Sequence, residues 1–450
     1  MNDKITMPIW AGGNFLVVMN TTMFNVSLPT VIDQLHITAG LGSWIVSGYS
    51  IMFALATIIF SRLSDFIPIR KLISIGLLLL GVSSVLGYAA DSFGVVLLAR
   101  LLQASGAGAM PGLGMVLASR YVPYERRGRA ISMIASSSAL AFGLGPVFGG
   151  AITEYLGWHE LFLVTCMVIG LIPVLWRLLP KEVQHPVHFD FVGAGLTVIA
   201  SAALLLAITQ LSLLYLGVGV VAILALVQQL RKAGRPFIHP ALFGNTGYRK
   251  LVMIAFLVFI LNMSMLFLMP LILADVFGKG AATIGMVIFP GAIFSAVLMK
   301  WVGRWIDRYG NFRFLLGGKL MLGAAILLMA TMLHESMYIV LAAYVLFAPS
   351  LSAVTSSLSN EVSRILPKEL IGSDMGLSQL SQYLGGSFAV AGCGLLMVWQ
   401  KEIPVANAFQ HIYLLLIAVL AIALGLLYQY RKSQYPLKRT AKQDLQQVSN

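Results

Sequence analysis

Fourteen apolar runs, most of them close to twenty residues long, divide this chain, and that pattern leaves few folds open. They cover residues 8–29, 44–60, 72–90, 93–117, 130–152, 158–179, 191–210, 213–230, 251–273, 281–300, 314–333, 337–359, 371–398 and 408–430. About 20 apolar residues let a helix cross the hydrocarbon core of a bilayer, where every backbone N–H and C=O must be satisfied inside the element. Helices of a soluble core are shorter and carry charge on one face. The runs therefore predict an all-α integral membrane protein with fourteen transmembrane helices.

Charge sets the sidedness. Twenty-seven of the thirty Lys and Arg residues fall at Lys4, in the tail or in alternate gaps. Those gaps hold Arg62/Arg70/Lys71, Arg120/Arg126/Arg127/Arg129, Arg177/Lys181 and Arg231/Lys232/Arg235/Arg249/Lys250. The rest of the set is Lys300/Arg304/Arg308/Arg313/Lys319, Arg364/Lys368 and the tail Arg431/Lys432/Lys438/Arg439/Lys442. Only Lys279 and Lys401 occupy the other gaps, and Arg100 lies inside a run. The positive-inside rule then places both termini in the cytoplasm. The net charge of +13 is spread over short loops facing anionic lipid headgroups, which argues against nucleic acid as a partner. Cys166 and Cys393 lie within runs and read as small apolar fillers rather than a disulfide framework. The first run spans the full membrane thickness with no small-residue cleavage site behind it, so it is expected to remain as a helix.

Residues 1–180 carry six runs and residues 249–430 carry six more. Between them, 181–248 hold two plainer runs with basic linkers, and 431–450 form a short basic tail. One loop occurs twice. Ser61-Arg-Leu-Ser-Asp65-Phe-Ile-Pro68-Ile-Arg70-Lys71 follows the second run, and Gly303-Arg-Trp-Ile-Asp307-Arg308-Tyr-Gly310-Asn-Phe-Arg313 follows the tenth. In each, a small residue precedes the Asp by four positions, a turn-former follows it by three, and basic residues close the loop. The duplication points to two related bundles with a pathway between them. An Asp near a helix N-terminus is favoured by the dipole, and Arg70 can pair across the loop, so Asp65 with Arg70 and Asp307 with Arg308 are candidate gating latches.

The loop resembles the signature between helices two and three of the major facilitator superfamily. Leu98-Ala-Arg100-Leu-Leu-Gln103-Ala-Ser-Gly106 resembles the helix-four signature of its proton-coupled members, and Gly143-Leu-Gly145-Pro146-Val-Phe-Gly149-Gly150 the helix-five antiporter signature. Asn20-Thr-Thr-Met-Phe-Asn25-Val-Ser-Leu-Pro29 resembles the helix-one signature of fourteen-helix drug:proton antiporters. The likeness, to the Gram-positive tetracycline efflux type, extends over nearly the whole chain, including His188-Phe-Asp-Phe and Arg120-Tyr-Val-Pro. It implies a 6+2+6 fold with pseudo-twofold related halves in the bacterial cell membrane. It also implies a monomer that exports amphipathic small molecules, antibiotics among them, against proton entry and needs no cofactor. Arg100 is the position the resemblance links to proton coupling. Ser61 and Pro68 stand where the family has glycines, and Asn20, Phe142 and Gly386 stand where the efflux relatives carry acids.

Arg100 reads as the one charge well inside a run. A charge there costs at least about 2.5–3.5 kcal/mol, so it is a functional candidate by default. It can fix helix four against helix one, attract an anionic group of the cargo, or repel a proton-bearing neighbour. None of the seventeen acids sits clearly at mid-membrane. Asp33 and Asp275 are the nearest carboxylates for coupling, and each also reads as an ordinary helix-end charge. Gly145, Pro146 and Gly149 serve either a gating bend or close helix packing. Asn20, Thr21, Asn25, Tyr49, Gln103, Asn262, Gln379, Gln382 and Tyr383 offer donors, acceptors and rings to a varied cargo, or else hydrogen bonds between helices worth about 0.6 kcal/mol each. A lone Arg among uncharged groups favours neutral, zwitterionic or anionic cargo, which keeps an exporter of an anionic metabolite or siderophore in view. A non-transporting scaffold or sensor is the reading from another class. No His or carboxylate cluster at membrane depth supports a metal site or an enzyme.

Overall fold

The computed structural model describes residues 2–64, 67–180, 182, 190–232, 241–366 and 371–448, and all its regular structure is helical. The first six runs form α1 (Asp3–Gln34), α2 (Ala39–Leu63), α3 (Ile69–Tyr88), α4 (Phe93–Ala107) with α5 (Ala109–Tyr121), α6 (Tyr124–Tyr155), and α7 (Glu160–Cys166) with α8 (Leu171–Leu178). The centre forms α9 (Phe191–Gln210), α10 (Leu213–Lys232) and the short α11 (Ala241–Gly244). The remainder forms α12 (Thr246–Asp275), α13 (Ala281–Tyr309), α14 (Asn311–Met332), α15 (Met337–Ile365), α16 (Ile371–Trp399) and α17 (Val405–Val448).

Helix starts follow the capping residues. The side chains of Thr38, Asp190, Asn245 and Ser336 accept from backbone N–H groups of α2, α9, α12 and α15, while Pro68 and Pro123 stand immediately before α3 and α6. Two expected helices are interrupted. The fourth run breaks at Gly108, where a Cβ would lie 2.5 Å from the Thr57 backbone nitrogen, so α2 approaches there more closely than a side chain permits. The sixth run tightens to a 3₁₀ turn at Met167–Gly170, just before Pro173 removes the donor that would reach the Ile169 carbonyl.

Among the described residues, twelve helices are long and apolar enough to cross a membrane. Two of the fourteen expected crossings, α6 and α9, are helices outside that set; the described stretch Val192–Ile208 of α9 is a shorter apolar helix. Lys319 also departs from expectation. It was assigned to a polar gap, but it lies in α14 with 0% exposure, so Arg100 is not the only charge held inside the bundle.

Helix packing repeats between the two ends of the chain. α1 packs on α6 and α12 on α16; α2 on α4/α5 and α13 on α15; α3 on α4 and α7, and α14 on α15 and α17. Each set is thus first helix on fifth, second on fourth, and third on fourth and sixth. The two sets meet reciprocally, α2 against α16 and α6 against α13. α9 and α10 pair with each other, and α9 leans on α16 and α2. Asp190 ties this pair together, accepting from Gly193 N and from Gln229 Nε2 at 2.8 Å each.

Candidate functional site around Arg100

Arg100 is carried by α4 to the middle of the bundle, where it is 0% exposed. Its guanidinium lies between two rings, 4.0 Å from the Phe24 centroid and 3.8 Å from that of Tyr49. A cation between aromatic faces is held by the ring quadrupoles, which replaces part of the hydration lost on burial. Its NH1 donates to Asn20 Oδ1 at 2.5 Å and to Gln103 Oε1 at 3.1 Å. Both amides are anchored in turn: Asn20 Nδ2 donates to Thr165 Oγ1 at 2.8 Å, and Gln103 Nε2 to Ser84 Oγ at 2.7 Å. One side chain thus connects α1, α2, α3, α4 and α7. Arg100 Nε and Asn25 Oδ1 are buried without a hydrogen-bond partner among the described residues.

From this cation a series of rings leads into the other set of helices. Tyr49 stacks on Phe53 at 6.1 Å, Phe53 meets Tyr383 of α16 edge-on at 5.3 Å, and Tyr383 meets Phe259 of α12 edge-on at 5.5 Å. Ser387 Oγ, one turn after Tyr383, donates to the Ser47 carbonyl at 3.0 Å. Thr21 lies beside the Tyr49 hydroxyl. Asn262 is buried on α12, and Gln382 is half-buried beside Tyr383.

The structure therefore joins Asn20, Tyr49, Arg100, Gln103 and Tyr383 into one connected site. Asp33 and Asp275 lie at exposed ends of α1 and α12 and take no part in it. Asp65 lies outside the described residues, as do the side chains of Asp307 and Gln379. Phe24, Phe53, Phe259 and Thr165 had not been singled out. For the first two a signal existed: each stands four residues after Asn20 or Tyr49, on the same helix face.

The glycine-rich face of α6 is packing surface. A Cβ at Gly145 would fall 1.9 Å from Thr22 Oγ1, and one at Gly149 2.6 Å from Met23 Cα, so both glycines admit α1. On the opposite side a Cβ at Gly150 would meet the Ala281 carbonyl at 2.3 Å, and the Pro146 carbonyl lies 2.5 Å from the Cβ position of Gly285, both on α13. α6 is thus pressed between its own set and the other. Gly394 is equally close to Ser43, at 2.8 Å, where α16 meets the start of α2. These contacts all lie toward the end of the bundle that holds Gln34 and Ala39, opposite Asp3.

At the Asp3 end, each set has a carboxylate clasp. Glu182 accepts from Ile69 N at the start of α3, at 2.5 Å, and from the Tyr121 hydroxyl at the end of α5. Burial and the bond to Glu182 push the Tyr121 hydroxyl up to about 12, so it stays a donor. Glu361 at the end of α15 accepts from Asn311 Nδ2 at 2.6 Å, Tyr430 OH at 2.7 Å and Arg364, whose ionisation is raised chiefly by that hydrogen bond. Arg70 lies over the Trp176 ring at 4.6 Å and Arg308 over Tyr309 at 5.4 Å. A groove of about 560 Å³ between α9 and α10, lined by Leu196, Leu213, Val221 and other apolar side chains, includes no residue of the Arg100 site.

A family model described as Major Facilitator Superfamily matches residues 10–390. The riboflavin transporter RibZ of Clostridioides difficile (strain 630) is 24% identical over 386 residues, covering 84% of this chain and 84% of its own. The cephamycin export protein CmcT of Amycolatopsis lactamdurans is 28% identical over 400 residues, covering 84% of this chain and 82% of its own. Among solved structures, a bacterial homologue of the human lysosomal transporter Spinster, in an inward-facing and unoccupied conformation, has the same fold with a TM-score of 0.68 at 14% identity, covering 95% of this chain and 97% of that one.

Proposed function

The chain belongs to the Major Facilitator Superfamily and is a multi-pass membrane transporter of small molecules, and from that premise we propose that it exports an amphipathic compound in exchange for protons. Residues 1–180 and 249–430 act as two halves that rock about the site between them, with α9 and α10 as two further crossings, fourteen in all. Both termini face the cytoplasm of a bacterial cell, and the protein works as a monomer. The ring series from Tyr49 to Phe259 is the observation that carries the reading. It spans both halves beside a buried cation, so a flat apolar cargo inserted there would touch both and be released as they part. Asp65 with Arg70 and Asp307 with Arg308 serve as gating loops at the cytoplasmic end, and Gly145, Pro146 and Gly149 let α6 slide against its neighbours. One proton crossing the field supplies about 2.3 kcal/mol per 100 mV, enough to drive accumulation.

A second reading, an anionic cargo, is favoured by one observation: the buried Arg100 Nε has no acceptor among the described residues. The relatives suggest the test cargoes. Purified protein in liposomes with an imposed pH gradient is offered riboflavin, cefoxitin as a cephamycin, and ethidium, beside Arg100→Ala. Accumulation of at least one cargo with the gradient, lost about tenfold or more in Arg100→Ala, is the expected result. Cargo movement indifferent to the gradient removes the exchange. Proton movement without cargo identifies a leak, and preference for anions selects the second reading.

A further inference from the structure

Resting on the proton exchange proposed above, we propose that Lys319 is the group that carries the proton. Arginine keeps its charge in proteins, so Arg100 cannot release one, whereas a buried lysine changes ionisation readily. Lys319 stands eight residues into α14, about 12 Å along the helix from Asn311. It is fully buried, and its Nζ donates to the Ala423 carbonyl of α17 at 2.9 Å. No carboxylate pairs with it among the described residues; Glu361 of α15 pairs instead with Arg364. An ammonium in that position keeps one hydrogen bond and no counter-charge; the neutral amine keeps the same bond and needs none. One geometry therefore accommodates both protonation states, as a carrier requires.

The polar groups that α15 brings to the same interior supply the route to water that this proposal requires. α15 passes beside Lys319, with Val354 Cγ2 2.6 Å from the Cβ position of Gly318. Ser357, about one turn further along, is 0% exposed and its hydroxyl has no partner among the described residues. Glu361 follows one turn later, in the clasp with Asn311, Arg364 and Tyr430. With the buried hydroxyls of Tyr344 on α15 and Tyr413 on α17, these are the titratable and charged groups that the described parts of the two helices bring to this interior. On α13, the described Arg308 side chain is exposed over Tyr309, and on α14 itself Arg313 is exposed. In each cycle Nζ takes one proton from water on one side of the membrane and returns it on the other, and no other bond changes.

The test compares wild type, Lys319→Met and Lys319→Arg in the same liposomes with the same three cargoes. Two rates are read: accumulation driven by a pH gradient, and counterflow with no gradient, taken across a pH series. The expected result is accumulation reduced about tenfold or more in both variants, with counterflow within about threefold of wild type and a flattened pH profile. Accumulation by Lys319→Met at the wild-type level overturns the assignment and leaves the exchange intact. Parallel loss of both rates in both variants identifies a strut and also overturns it. Wild type with no response to the gradient overturns the exchange reading and the assignment together. If Lys319→Met does not fold, Lys319→Arg decides, because it keeps the charge and the donor but does not release the proton.

Discussion

The two halves bury their cations in opposite ways. Arg100 is enclosed on both faces by rings and met at its edge by two amides, each held by a hydroxyl from another helix. Lys319 has one carbonyl. The first arrangement specifies a permanent charge and uses it to join five helices. The second tolerates a charge without requiring it. A guanidinium and an amine suit these settings because only the latter can become neutral within a protein. The contrast predicts that removing each cation affects stability very differently.

The largest effect belongs to Arg100→Met. The side chain is of similar length, yet it leaves Asn20 Oδ1 and Gln103 Oε1 buried without their donor, at about 1–3 kcal/mol for each orphaned group. Membrane helices recover part of that loss by finding other partners, which places the net cost at about 2–4 kcal/mol. The midpoint of unfolding in mixed detergent micelles measures it. A midpoint equal to wild type would falsify the view that this cation organises the first half.

Next in size is a comparison of the fifth helix of each half. A Cβ at Gly149 of α6 meets the Met23 backbone at 2.6 Å, whereas one at Gly386 of α16 meets Met263 Cγ at 2.4 Å. Backbone cannot yield without moving α1, but a methionine side chain can turn aside. Gly149→Ala is expected to cost about 1–3 kcal/mol, and Gly386→Ala less than about 1. Equal costs would mean that both halves are packed with the same tolerance. The contact also bears on the acid that the resemblance implies at position 386: any side chain there would meet Met263 Cγ at 2.4 Å.

The carboxylate clasps give a smaller difference. Glu361 accepts from Asn311, Tyr430 and two nitrogens of Arg364, and Glu182 from Ile69 N and Tyr121. Arg364 is half-exposed, so its pairing is discounted for screening. Glu361→Gln should lower stability by about 1–2 kcal/mol and Glu182→Gln by about 0.5–1, read from the same unfolding midpoints. The reverse order would show that the linker carboxylate, rather than the one on α15, is the stronger fastening.

What could be read in advance follows from how local the signal is. Each apolar run is helical, the fourth and sixth with a break, because hydrophobic length is a property of twenty consecutive residues; Arg100 is visible because it interrupts one. Its amide partners were visible as polar residues in apolar helices. The ring series was not, since Phe53 and Phe259 are unremarkable in a membrane helix until Tyr383 is brought between them from more than a hundred residues away. The clasps escaped notice for the same reason: Glu182 and Glu361 sit among basic residues and look like ordinary loop charges until Ile69 N and Asn311 arrive. Lys319 was misassigned because it lies within two turns of a basic loop, and a lysine near a run's edge reads equally well as a lipid-facing anchor. Only the arrival of α17 shows that it points inward.

The smallest effect is the sharpest test of the contrast. Lys319→Met replaces the amine with a side chain of similar length that needs no partner, and the Ala423 carbonyl keeps its place in the α17 ladder, where the Leu427 N–H can reach it. Replacing a buried charge by an apolar group of like volume is often neutral or stabilising. The unfolding midpoint should therefore stay within about 1 kcal/mol of wild type, or rise. A loss as large as that of Arg100→Met would mean that α14 and α17 are held together through this amine, and the two cations would then be fasteners of one kind. A stable Lys319→Met that no longer accumulates cargo against the pH gradient would separate them: one charge kept for structure, the other for what it can give up.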